Sequence, residues 1–76
     1  MTTYEEAFET AKQLKKNIEC CTEFENGFVF ASYDDANYEG GAGHTPVVIL
    51  KKDGRAVNMP YFVLRGTGEE IRSFDI

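Results

Sequence analysis

The stretch that decides the fold runs from residue 44 to residue 64 and reads HTPVVILKKDGRAVNMPYFVL. Residues 47–50 form a continuous aliphatic run that is too short for a helix, and its two apolar faces predict an inner strand. Asp53-Gly54 readily supplies the positive φ of a tight turn, so residues 55–59 predict the returning strand. Pro60 interrupts that strand, which makes it an edge strand or a strand that bends. The stretch therefore predicts a buried β-hairpin.

The N-terminal segment predicts an amphipathic helix over about residues 3–17. Thr3 and Glu6 have the spacing of a capping box. Acidic residues lie in the first turn and lysines near the end, as the helix dipole favours. The apolar positions recur with the period of a helix and are Tyr4, Ala7, Phe8, Ala11, Leu14 and Ile18. Such an apolar face needs a sheet to pack on.

Two more strands are predicted between the helix and the hairpin. Residues 18–24 predict a first strand, and an Asn26-Gly27 turn leads into a second strand at 28–33. The second strand has apolar side chains on both faces, which places it inside the sheet. Residues 34–45 are acidic and then glycine-rich, which is typical of a loop.

The C-terminal residues 65–76 predict a short helical turn. Thr67 is its candidate cap, and Ile71 and Phe74 are expected to fold back on the core. The predicted fold class is therefore α+β: an N-terminal amphipathic helix on an antiparallel sheet of about four strands, with a short C-terminal helical turn. At 76 residues the chain is expected to form a single domain, residues 1–76.

Composition and charge exclude several classes of function. The net charge of −5 disfavours nucleic-acid binding, which needs a basic face. No apolar run approaches the roughly 20 residues of a membrane span. The early glutamates do not fit a signal peptide, and two adjacent cysteines do not form a disulfide framework. We therefore expect a cytoplasmic protein that binds neither nucleic acid nor membrane.

The strongest functional signal is an acidic stretch. Between residues 19 and 39 there are six acidic residues and no basic one, and a surface of one sign attracts a partner of the opposite sign. Tyrosines in this stretch could be buried on binding. The predicted partner-binding residues are Tyr33, Asp34, Asp35, Tyr38, Glu39 and His44.

Two chemical sites are weaker hypotheses. The glycines at 40–43 do not open a helix and lack a phosphate-binding lysine, so no nucleotide or other cofactor is expected. Cys20 or Cys21 could pair with His44 as a thiol–imidazole site, which requires contact and a lowered thiol pKa. These residues do not have the spacing of a structural zinc site.

Several motifs together resemble a known family. They are Thr3-Tyr4-x-x-Ala7-Phe8-x-x-Ala11, Gly27-Phe28-Val29-Phe30, Gly43-x-x-Pro46 with the apolar strand and lysine-rich turn to Gly54, Gly66-Thr67, and Glu69-Glu70-Ile71. In these features the chain resembles the YrhB-like family, immunity protein 35, whose members guard bacteria against polymorphic toxins. It departs from the family at His44 and Leu50, where members often have Asn and Asp.

The resemblance implies a small non-enzymatic protein that binds and occludes a cognate bacterial toxin. Two alternatives stay open. One is an accessory or chaperone-like domain that binds exposed apolar segments by strand addition near Met59 and Pro60. The other is a small thiol enzyme that uses Cys20 or Cys21 and His44.

Overall fold

The structure is a computed structural model in which residues 1–33 and 46–76 are described. Within these residues the chain forms an α+β fold with one antiparallel sheet, in the strand order β4-β3-β2-β1-β5. The elements in chain order are α1 (Tyr4–Leu14), β1 (Cys20–Phe24), β2 (Gly27–Ala31), β3 (Val47–Leu50), β4 (Ala56–Asn58), α2 (Met59–Arg65) and β5 (Glu70–Asp75). The predicted fold class is confirmed, with five strands where about four were expected.

The N-terminal helix begins as its capping box predicts. The Thr3 hydroxyl accepts the Glu6 N–H at 3.2 Å, and the Glu6 carboxylate accepts the Thr3 N–H at 3.1 Å. The helix ends at Leu14, three residues before the predicted end, because Lys15 adopts an extended backbone. The α1 helix therefore spans three turns and covers one face of the sheet.

A core of aromatic and small side chains lies between α1 and the sheet. Ala7 and Ala11 are fully buried and let the helix approach Phe30 and Ile49, which are also fully buried. Tyr4 lies in the same cluster, with its ring centroid 5.4 Å from that of Phe74 on β5. Burial of each large apolar side chain contributes about 1.5–3 kcal/mol, so this layer is a main source of stability.

The opposite face of the sheet is covered by α2. Phe62 is fully buried there and packs in one cluster with Val29 and Val48. Gly27 permits this approach, because a Cβ at this position would lie 3.1 Å from the Phe62 ring and 3.0 Å from the Ile49 carbonyl oxygen. The close packing of α2 on the central strand therefore depends on glycine at position 27.

The hairpin prediction is confirmed for β3 and β4, and Gly54 has the expected positive φ of 73°. The hairpin interpretation was wrong from residue 59 onward, since residues 59–65, which include the apolar run 61–64, form α2 and not a continuation of the strand. The Asn58 side chain caps this helix by accepting the Tyr61 N–H at 2.8 Å. Pro60 lies in the first helical turn, where a missing N–H removes no intrahelical hydrogen bond.

The predicted C-terminal helical turn was also wrong, because residues 70–75 form β5 and pair with β1. Thr67 caps no helix; its hydroxyl donates to the Gly68 carbonyl oxygen at 2.8 Å. Phe74 does pack against the core, as expected, whereas Ile71 is 54% exposed. Pairing with β1 satisfies the backbone groups on the inner side of this six-residue segment.

Candidate functional site

Tyr33 is the one predicted partner-binding residue within the described part of the chain, and it lies just after β2. Its side chain is 57% exposed. The hydroxyl nevertheless donates a hydrogen bond to the Asp75 carboxylate at the end of β5, and the backbone N–H donates to Glu19 Oε1 at 3.2 Å. An exposed ring is thus held at its backbone and at its tip.

Glu19 organises this end of the sheet. Its carboxylate also accepts the Ser32 hydroxyl at 2.5 Å. Its backbone N–H donates to the Ala31 carbonyl oxygen and its own carbonyl oxygen accepts the Ile76 N–H, both at 2.9 Å. Glu19 therefore joins the ends of β2 and β5, the two segments that carry Tyr33 and Asp75.

The carboxylate of Asp75 also changes the acidity of Tyr33. The hydrogen bond to Asp75, then partial burial, then the nearby negative charges raise the pKa of Tyr33 to about 12. The hydroxyl therefore stays protonated at neutral pH and remains a donor to Asp75.

The remaining predicted residues, Asp34, Asp35, Tyr38, Glu39 and His44, lie outside the described residues. Two residues that the sequence interpretation did not assign to the site, Glu19 and Asp75, contact Tyr33 directly. The apolar residues of this segment, Ile71 and Phe74, are three positions apart and not two, so its sequence carried no strand pattern that would have placed Asp75 at this end of the sheet.

The two cysteines lie on opposite faces of β1. Cys21 is fully buried beneath α1, and burial raises the pKa of its thiol to about 12. Cys20 is half-buried, and its Sγ lies 3.5 Å from the Ala31 carbonyl oxygen. A protonated, inaccessible thiol does not provide a nucleophile at Cys21.

A second polar group lies at the other end of β1, on the α1 face. The Glu23 carboxylate binds Lys51 Nζ at 2.6 Å and Arg72 Nε at 2.8 Å. Lys51 Nζ also lies 4.9 Å above the Phe28 ring centre. Glu23 and Lys51 are largely buried, and each neutralises the charge of the other. This group therefore stabilises the fold and offers no open site.

Other kinds of site find no support in residues 1–33 and 46–76. No group of three or more His, Cys, Asp or Glu in these ranges has an arrangement that could hold a metal ion. Neither described helix combines the length and apolar character that a membrane crossing needs.

No protein-family model, curated protein or solved structure matches the chain. What is shown for this protein is its α+β fold class, and the resemblance to the immunity protein 35 family stays a prediction.

Proposed function

We propose that this protein is a small non-enzymatic protein-binding domain, an immunity-type inhibitor that binds and occludes a cognate bacterial toxin in the cytoplasm. The observation that carries the proposal is Tyr33, an exposed aromatic ring that Glu19 and Asp75 hold in place. Tyrosine is enriched among the residues that dominate binding energy. A ring that is ordered before binding loses less conformational entropy when the complex forms.

The charge around Tyr33 indicates the kind of surface that the partner presents. Glu19 and Asp75, which both accept hydrogen bonds from Tyr33, are carboxylates. The proposed contact surface extends to Asp34, Asp35, Tyr38, Glu39 and His44. A basic toxin surface would be steered toward such a region and would associate more slowly at high salt.

One observation favours the accessory-domain alternative. Val63 is 59% exposed and Leu64 is 87% exposed, and both lie on α2. This apolar pair could contact an exposed apolar segment. The strand addition first suggested at Met59 and Pro60 is not supported, because these residues open α2. The thiol-enzyme alternative loses Cys21 as a nucleophile, because its thiol is buried and protonated.

An immunity gene usually lies directly after the gene of its toxin, so co-expression with the protein encoded by the preceding, neighbouring gene tests the proposal. We expect restored growth and a stable complex on size exclusion, with an association rate that falls as salt is raised. Binding that is promiscuous and insensitive to salt would favour the accessory domain. Absence of both protection and a complex would refute the immunity function.

A further inference from the structure

The β5 strand lies at one edge of the sheet and is the longest strand in the described part of the chain. It has six residues and, within that part, pairs only with β1. Five steps of about 3.3 Å give it a length of about 17 Å. An edge of this length is long enough to pair with an added strand.

The backbone of β5 presents hydrogen-bonding groups to the outside. The Ile76 N–H donates inward to the Glu19 carbonyl oxygen at 2.9 Å. Because N–H groups of alternate residues in a strand point to the same side, those of Arg72 and Phe74 also face β1. The N–H groups of Ser73 and Asp75 therefore face away from the sheet.

The charges along this edge are mainly acidic. Glu69 and Glu70 are exposed at its start, and Asp75 is exposed at its end. The cation between them, Arg72, binds Glu23 at 2.8 Å and is partly neutralised. Ile71 is 54% exposed and gives the edge an apolar contact point. Within residues 1–33 and 46–76, the edge thus combines carboxylates at both ends with backbone groups that no further strand pairs with.

We propose that the outer edge of β5 binds an extended basic segment of the protein partner by strand addition. Glu70 pairs with Phe24 and Arg72 pairs with Glu23, so Ile71 is the extra residue of a bulge and Glu70 lies on the same face of the sheet as Asp75. The segment would carry Lys or Arg residues four positions apart, on one face and opposite Glu70 and Asp75, and an apolar residue beside Ile71. This inference rests on the proposed function and deepens it, since Asp75 belongs both to the edge and to the contact with Tyr33. Backbone hydrogen bonds supply affinity in this mode of recognition, and side chains supply specificity.

A synthetic peptide tests the edge directly. The probe is acetyl-Lys-Val-Thr-Val-Lys-amide, whose lysines are four positions apart and share one face of an extended strand. The readout is amide hydrogen exchange of the intact chain by NMR. We expect saturable slowing of exchange at Ser73 and Asp75, with Phe74 unchanged because it already faces β1. Two control peptides should each bind at least about fivefold more weakly. One has Glu in place of both Lys residues and loses the charge attraction, and the other has a central Pro and loses a backbone hydrogen-bond donor.

Two matched charge reversals in the protein provide a second test that does not require changing the peptide. Glu70→Lys should weaken binding of the probe, whereas Glu9→Lys makes the same change on α1 and should not. Equal binding of the Lys and Glu peptides would overturn the proposal. So would protection of Ser73 in the free chain, or protection that grows with protein concentration alone, which would indicate a second copy on the edge.

The test of strand addition at β5 and the test of the immunity function can fail separately. A toxin whose binding is abolished by Tyr33→Ala but unchanged by Glu70→Lys would refute strand addition at β5 and leave the immunity function intact. A chain that binds the basic peptide at β5 but no toxin would refute the immunity function alone.

Discussion

Glu23 and Lys51 form an ion pair across the sheet, with the carboxylate and ammonium groups 2.6 Å apart and side-chain exposures of 15% and 11%. Removing one member of a buried pair leaves the other charge without compensation. We expect Glu23→Gln to lower the free energy of unfolding by about 2 kcal/mol, below the range for fully buried pairs because some solvent reaches this one. Urea denaturation measures the effect.

The matched control for this prediction is the double variant Glu23→Gln with Lys51→Met, which removes both charges and keeps the side-chain volumes. It should recover part of the lost stability. Equal stability of Glu23→Gln and the unaltered protein would contradict the account of this ion pair.

The same ion pair makes stability depend on pH. The hydrogen bond from Lys51 has the largest effect and lowers the pKa of Glu23. Burial opposes it, and the hydrogen bond from Arg72 and the charges of both cations lower the pKa further. A lowered pKa in the folded state means that the stabilisation is present above the unfolded pKa and is lost as pH falls through the folded pKa. Denaturation curves recorded from neutral to acidic pH should show the unaltered protein converging on Glu23→Gln. A constant difference between the two would contradict this.

Gly27 on the central strand lies against the buried Phe62 ring of α2. We expect Gly27→Ala to destabilise the protein by about 1–3 kcal/mol, because the added methyl group meets the buried Phe62 ring and a strand carbonyl. Thermal unfolding measures the change. In a double-mutant cycle with Phe62→Leu, the two losses should be less than additive. Full additivity would show that the ring is not what excludes a side chain at Gly27.

The titration of Tyr33 reports its contact with Asp75. Tyr4 also has a raised pKa, so the contribution of Tyr33 is the difference in tyrosinate absorbance between the unaltered protein and Tyr33→Phe. This difference should develop around pH 12 and should shift to lower pH in Asp75→Asn, which removes the negative charge. Stopped-flow measurement after a pH jump avoids alkaline unfolding. An unchanged titration in Asp75→Asn would show that Asp75 does not hold the hydroxyl.

Those parts of the fold that depend on local signals could be predicted from the sequence. Thr3 and Glu6 specify the start of α1, and Asp53-Gly54 specifies the β3–β4 turn. The segment 61–64 is rich in residues that favour strands, so its helix was missed although Asn58 and Pro60 together form a helix start. β5 was missed because its residues do not alternate between apolar and polar. The glycines at 66 and 68 and Thr67 between them suggested a loop that leads into a capped helical turn.

The site could be predicted only in part for the same reason. Tyr33 was identified from its acidic surroundings, which are local in sequence. Glu19 and Asp75 meet it only because β5 pairs with β1, a contact between distant parts of the chain. A chain segment assigned to a helical turn gives no basis for placing Asp75 beside Tyr33.

The affinity of the neighbouring-gene toxin for the Tyr33→Ala variant, measured by calorimetry, tests the central claim most directly. Leu64→Ala is the control, since it removes an exposed side chain elsewhere on the protein, on α2. Circular dichroism checks that both variants fold. We predict that Tyr33→Ala weakens binding by at least about 2 kcal/mol, the loss typical of an interface hot spot, while Leu64→Ala leaves it unchanged. Unchanged affinity of Tyr33→Ala, with the toxin still bound, would contradict the account.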